Sequence, residues 1–304
     1  MAEKKEEDPG TPSPEEEAPR RRRRGKRAAP LSAKKAEKPS PEPLEPGEVH
    51  VYSIKGEPVK TIELPHVFRS EVRFDMIRRA VTAFRSNRRQ AYGAAPRAGL
   101  QHSVRWSGKG QGVSRVPRLR GGMTGAQAPG TVGGRRAHPP RLDKVWTKKI
   151  NERERRSARN AALAALHDPS LVSARGHQYD DRVSLPLIVE DDLESLQPEE
   201  SATQEGQSIL EKLGVLDDVE RAKSGTHIRA GHGKMRGRRY REPRSVLVVV
   251  KDVAHARRLF GNLPGVEVVS PAGLNAEVLA PGGDPGRLAL FSEGAIEVLR
   301  GWSA

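Results

Sequence analysis

The stretch SVLVVVKDVAHARRLFGNLPGVEVVS, residues 245–270, decides the fold. Residues 246–250 are an unbroken run of Val and Leu, the pattern of a strand covered on both faces. VAHARRLF at 253–260 has helical spacing, and VEVV at 266–269 reads as strand again. A strand, a helix and a second strand in so short a span predict parallel neighbours with the helix packed on the sheet.

The same alternation extends in both directions. Toward the C-terminus it predicts a short helical piece near 275–279, a strand at 288–291 and a helix at 294–299. Toward the N-terminus it predicts a strand at 185–189 and helices at 204–213 and 216–223. Farther back, residues 49–64 read as a hairpin turning at Lys55, Gly56 and Glu57. Val72, Met76, Ala80 and Phe84, with Ile77 and Val81 beside them, mark the apolar face of a helix. Its other face carries Arg78, Arg79, Arg85, Arg88 and Arg89. Helical spacing returns over 144–166 and stops at His167, Asp168 and Pro169. The fold class these elements predict is α/β, a three-layer α/β/α body on a mostly parallel sheet.

Two segments lie outside that grammar. Residues 1–47 hold almost no large apolar side chains, and their Pro, acids and the run Arg20–Arg24 predict a disordered tail. Residues 92–142, rich in Arg, Gly and Pro, show no period of either kind between two helices. An insert of this length is rare in a compact domain, so it is either disordered or ordered by something outside the protein. The expected organisation is therefore a tail, 1–47, and one α/β domain, 48–304, with 92–142 as an extended loop.

Charge points to the partner. The formal net charge of +15 over 304 residues favours polyanions, and 35% apolar with 4% aromatic residues is thin for one large packed core. From 85 to 149 there are fifteen Lys and Arg against one acid, Asp143. From 186 to 220 the balance reverses, with eleven acids against Lys212, so that stretch is expected to face solvent or cations. The insert has the chemistry of a chain threaded through folded RNA. Arg forks onto phosphates and stacks on bases, Gly admits close approach, and Pro lowers the entropy lost on ordering. Trp106, His102 and His138 offer stacking faces. Contact with about ten phosphates would give a log–log salt slope of roughly −7 to −9. A second basic run, 228–244, interleaves Arg229, Lys234, Arg236, Arg238, Arg239, Arg241 and Arg244 with Gly231, Gly233 and Gly237. It lacks P-loop spacing, has no Ser or Thr after Lys234, and precedes a strand instead of following one. A disordered basic linker and a solvated loop are the plainer readings of these two runs.

Nothing in the sequence composes an active site. There is no cysteine, no G-x-S-x-G elbow and no dinucleotide fingerprint. His227 and His232 have no carboxylate at metal-ligand spacing. Glu190, Asp191 and Asp192 could hold magnesium, but acids after a strand more often sit at a helix N-terminus. No apolar run reaches membrane-spanning length, and the charged N-terminus has no signal-peptide core. Two other readings stand beside RNA scaffolding. One is an RNA-processing enzyme with magnesium at Asp191 and Asp192; the other is a DNA-compacting protein.

Six collinear motifs carry a resemblance. VPRLRGG (116–122), VGGRRAHPP (132–140), KINERERRSARNAALAA (149–165), RAGHGKMRGRRY (229–240), NLPGVEVV (262–269) and LNAEVLAPGGDPGRL (274–288) are similar to the universal ribosomal protein L-four family, in its archaeal and eukaryotic branch. VGGRRAHPP is closer to the archaeal form, and residues 1–47 depart from it. The resemblance runs from about 49 to 299. It implies a non-enzymatic, cytoplasmic constituent of the large ribosomal subunit, with a globular domain on the outside and a loop penetrating the rRNA. The stems would be 97–118 and 135–141, and the tip, near 120–129, would help line the nascent-peptide exit tunnel. Neighbouring large-subunit proteins and the nascent peptide are then further partners, and no membrane. No cofactor is implied, and any magnesium would belong to the surrounding rRNA. The RNA-binding residues expected are Arg97, Arg105, Trp106, Lys109, Arg115, Arg118, Arg120, Arg135, Arg136, His138 and Arg141 in the loop. Lys234, Arg236, Arg238, Arg239 and Tyr240 are expected in the second basic run.

Overall fold

The computed structural model describes residues 45, 47–196 and 201–302. The expected tail, 1–47, lies almost wholly outside them. The chain order is β1 (Glu48–Tyr52), β2 (Pro58–Glu63), α1 (Phe74–Asn87), β3 (Val104–Trp106), β4 (Pro117–Leu119), α2 (Glu152–Ala164), α3 (Pro169–Ala174), β5 (Leu187–Val189), α4 (Asp192–Ser195), α5 (Ala202–Lys212) and α6 (Leu216–Ser224). It continues with β6 (His227–Ile228), β7 (Tyr240–Arg241), β8 (Leu247–Val249), α7 (Val253–Phe260), β9 (Glu267–Val269), α8 (Ala276–Leu279), β10 (Ala289–Ser292) and α9 (Glu293–Arg300).

Six strands form one sheet in the order β2-β1-β5-β10-β8-β9. Only the β1–β2 hairpin at one edge is antiparallel; β1–β5, β5–β10, β10–β8 and β8–β9 are parallel. Alternation along β8 explains the unbroken Val/Leu run of the opening stretch. Leu247 and Val249 face a core with Ile77, Ala80 and Val81 of α1, Leu163 of α2, Leu279 of α8 and Ile296 of α9. Val246, Val248 and Val250 face the opposite core, with Ile209 and Leu210 of α5, Val219 of α6 and Leu259 and Phe260 of α7. Helices on both faces make the three-layer α/β/α body that the alternation predicts.

Three expectations shift. The helix predicted from 144 begins at Glu152. Residues ahead of it are held extended against the end of α1, where Ser86 Oγ donates to Trp146 O at 2.6 Å and Asn87 clasps the Lys148 backbone. The breaker at 167–169 stops one helix and starts another. Asp168 caps α3 by accepting from Ser170 N at 2.9 Å, with Pro169 at the first helical position, where its missing N–H costs nothing. Finally, the acidic stretch does not simply face solvent, since Asp218 is fully buried.

Candidate nucleic-acid interface

Residues 92–142 leave the end of α1 and return toward α2. The sequence shows no strand period there, yet β3 and β4 pair antiparallel, Val104 with Leu119, Arg105 with Arg118 and Trp106 with Pro117. Strands of three residues, of which only Pro117 is buried, are too short to display an alternation. Beyond them the chain folds on itself. Leu119 N donates to Thr124 O at 3.0 Å, and Ala126 N to Pro117 O at 2.8 Å. At the stem, Ala94 N donates to Pro140 O and Arg135 N to Gln127 O, while Gln127 Nε2 donates to His102 O at 2.5 Å. Gly99 sits at φ +76°, and a Cβ there would come within 2.5 Å of Arg135 N. The two sides of the stem therefore approach backbone to backbone, as glycine alone permits.

The expected loop residues Arg97, Arg105, Trp106, Lys109, Arg115, Arg120, Arg135, Arg136, His138 and Arg141 are all exposed. Trp106 is 65% exposed and Met123 at the tip 64%. Arg118 departs from this set. Its guanidinium turns inward, donating to Met123 O and to Ser114 O and Oγ, so it shapes the tip from within.

The second basic run is a hairpin the sequence does not announce. β6 pairs with β7, His227 with Arg241 and Ile228 with Tyr240. Between them a single 3-10 turn spans His232–Arg236 and ends at Gly237, φ +76°. Arg229 braces it from inside, its Nε donating to Arg238 O at 3.2 Å. Lys234, Arg236, Arg238, Arg239 and Tyr240 point outward, all exposed. Ile228 and Tyr240, 52% and 58% exposed, form an uncovered cross-strand pair with the Arg239 guanidinium 5.7 Å from the tyrosine ring centre. An apolar and aromatic platform flanked by cations is suited to a base above and phosphates beside it.

Ion pairing separates these two regions from the body. Body arginines meet carboxylates repeatedly, as in Arg73–Asp75, Arg88–Glu277 and Arg156–Glu152. Among the described residues, no Lys or Arg of 92–142 or 229–241 lies within ion-pair distance of a carboxylate. Residues 92–142 contain nine Lys and Arg and no acid.

The carboxyl end of the parallel strands, where sheets of this kind usually seat ligands, is occupied by the protein's own carboxylates. Glu194 accepts from the backbone N–H of Lys251 (2.7 Å) and Asp252 (3.0 Å) and from Ser292 Oγ (2.6 Å). Asp191 accepts from Gly294 N at 2.7 Å, at the start of α9. The acids after β5 thus tie strand ends and helix starts together, and Asp191 serves α9 in place of the helix that follows it. No group of His, Asp and Glu suited to a metal occurs among the described residues.

Ser245, Asp218 and His177 have the residue types of a nucleophilic triad but the wrong order. The serine hydroxyl donates to Asp218 at 2.7 Å, not to the imidazole. His177 Nδ1 donates to the same carboxylate at 3.0 Å, as do Arg221 Nε at 2.9 Å and Gln178 N at 3.0 Å. Burial alone would raise the Asp218 carboxyl, but these hydrogen bonds outweigh it and hold it down at about 2. Burial pushes His177 below the ordinary imidazole value. The cluster is a structural knot joining α6 to the start of β8. No helix among the described residues is long and apolar enough to cross a membrane.

Comparison with known proteins agrees with these features. The model of the ribosomal protein L4/L1 family matches residues 62–302. The large ribosomal subunit protein uL4 of Methanocaldococcus jannaschii is 47% identical over 250 residues, 82% of this chain and 97% of the relative. Its counterparts from Methanopyrus kandleri (46%) and Thermoplasma acidophilum (44%) each align over 83% of this chain and 97% of their own length. The match spans the loop, the basic hairpin and the sheet strands from β5 to β10, and the chain belongs to the ribosomal protein L4/L1 family.

Proposed function

We propose that this chain holds large-subunit rRNA through two basic assemblies, the loop 92–142 and the hairpin 227–241. Its family is one of structural, non-enzymatic constituents of the large ribosomal subunit. The loop lies embedded in folded rRNA, and its tip, near residues 120–129, sits beside the nascent-peptide exit tunnel. The observation that carries this reading is the missing counterions. Nine loop cations without a facing carboxylate would repel one another unless external anions lay between them. Phosphates supply those anions, and Arg forks bind them bidentately. The contacts expected are with Arg97, Arg105, Lys109, Arg115, Arg120, Arg135, Arg136 and Arg141. Trp106, His138 and Tyr240 stack on bases, and Lys234, Arg236, Arg238 and Arg239 hold a second stretch of backbone. Recognition is of RNA shape and charge more than of sequence.

A photo-reactive side chain in place of Met123, in assembled ribosomes carrying an arrested nascent peptide, tests the placement. Cross-links to rRNA and to the peptide are expected. Cross-links to rRNA without the peptide would remove the tunnel placement, and cross-links to neither would remove the embedded loop.

A further inference from the structure

One basic surface of the body belongs to neither assembly. Along α1, Arg78, Thr82 and Arg85 follow one another at helical spacing over about 10 Å at ~1.5 Å per residue, with Arg85 3.6 Å from Glu277 and Arg89 just past the helix end. Facing it runs residues 144–150, the extended strap that returns the chain from the loop to α2. Asn87 fixes this strap with its side-chain amide. Nδ2 donates to Lys148 O at 3.1 Å, and Oδ1 accepts from Lys148 N at 2.7 Å, as a neighbouring strand would. Trp146 is gripped between Arg89 and Lys144, each 4.3 Å from its ring centre, and its indole N–H has no acceptor within the protein. Between helix and strap lies a cleft of about 550 Å³ lined by Arg78, Arg79, Thr82, Ala83, Lys148, Lys149 and Ile150.

We propose that this cleft is a third RNA site, seating a run of phosphodiesters at the root of the loop. The proposal rests on the RNA-binding reading above but uses different residues. Lys148 and Lys149 are exposed and meet no carboxylate at ion-pair distance, so their charge is open to a ligand. Arg78 and Arg79 hold Asp284 and Glu154 in exposed pairs, which contribute little and exchange readily for phosphate. A strand of nucleic acid carries about one charge per 3.4 Å, so the ~10 Å from Arg78 to Arg85 spans roughly three phosphates. Four cationic side chains ring a floor of Thr82, Ala83 and Ile150, and their charge is what a phosphodiester backbone would meet. The site reads backbone, and by fixing the strap it sets the direction in which the loop enters the RNA.

The test is binding of the full chain to protein-free large-subunit rRNA across a KCl series. Lys148→Gln with Lys149→Gln should make the log–log salt slope shallower by about 1.5, since each lost phosphate contact removes ~0.7–0.9. The control, Lys55→Gln with Lys251→Gln, removes two exposed charges elsewhere on the body and should leave the slope unchanged. A cleft variant with the parental slope would overturn the proposal and leave the loop's role standing, and an acidic neighbouring protein would then be the better occupant. A parental chain that fails to bind rRNA at all would instead overturn the function reading, and the cleft with it.

Discussion

Asp218 shows how much of this protein's stability rests on single polar residues. Its carboxylate is fully buried and takes hydrogen bonds from His177, Arg221, Gln178 and Ser245. Its folded pKa, about 2, lies below the ordinary 3.8. A group depressed on folding stabilises the native state above its unfolded pKa, and the contribution is lost as pH falls from about 4 toward 2. The shift corresponds to about 2 kcal/mol. Asp218→Asn should therefore cost ~2–4 kcal/mol in urea unfolding at pH 7, with a smaller penalty near pH 2. An equal penalty at both pH values would show that packing, not charge, is what the residue supplies. The sequence hides this role. Asp217, Asp218 and Glu220 look alike in an acidic helix, and only the partner positions 27 and 41 residues away distinguish the buried one.

Among elements, those that bury apolar surface were legible and those that do not were not. β8, α7 and β9 read directly from residues 245–270, because strands covered on both faces need continuous Val and Leu. β3–β4 and β6–β7 left no trace, since their cross-strand partners are mostly exposed Arg, Trp, His and Tyr. The strap before α2 misled because its spacing continues the helix, while the hydrogen bonds of Ser86 and Asn87 that hold it extended come from α1. Of the interface, the outward cations were legible by composition. The inward turn of Arg118 was not, since it depends on where Ser114 and Met123 fold back. Arg118→Gln should loosen the tip, speeding hydrogen exchange at the Leu119, Gly122 and Ala126 amides about 10-fold, as loss of a charged hydrogen bond implies. Arg120→Gln, whose side chain points out, should leave them unchanged. Equal effects would mean that Arg118 has no internal role.

At the scale of the whole molecule, charge is divided between two kinds of structure. The body pairs many of its arginines with carboxylates and uses the acids of 190–194 and Asp218 as internal ties. The loop, rich in Gly and Pro, and the basic hairpin, rich in Gly, leave their cations without carboxylate partners. On the proposed reading, an external polyanion lying along those regions supplies the counterions they lack. A loop enclosed by folded rRNA is held by topology as well as charge, whereas a surface-bound loop is held by charge alone and dissociates as salt rises. Sedimentation of ribosomes through sucrose gradients containing high salt, with this protein followed by mass spectrometry, separates the two cases. Stoichiometric retention on the large subunit is the predicted result. Release of the protein into the soluble fraction would contradict the embedded loop, and with it the tunnel placement of the tip.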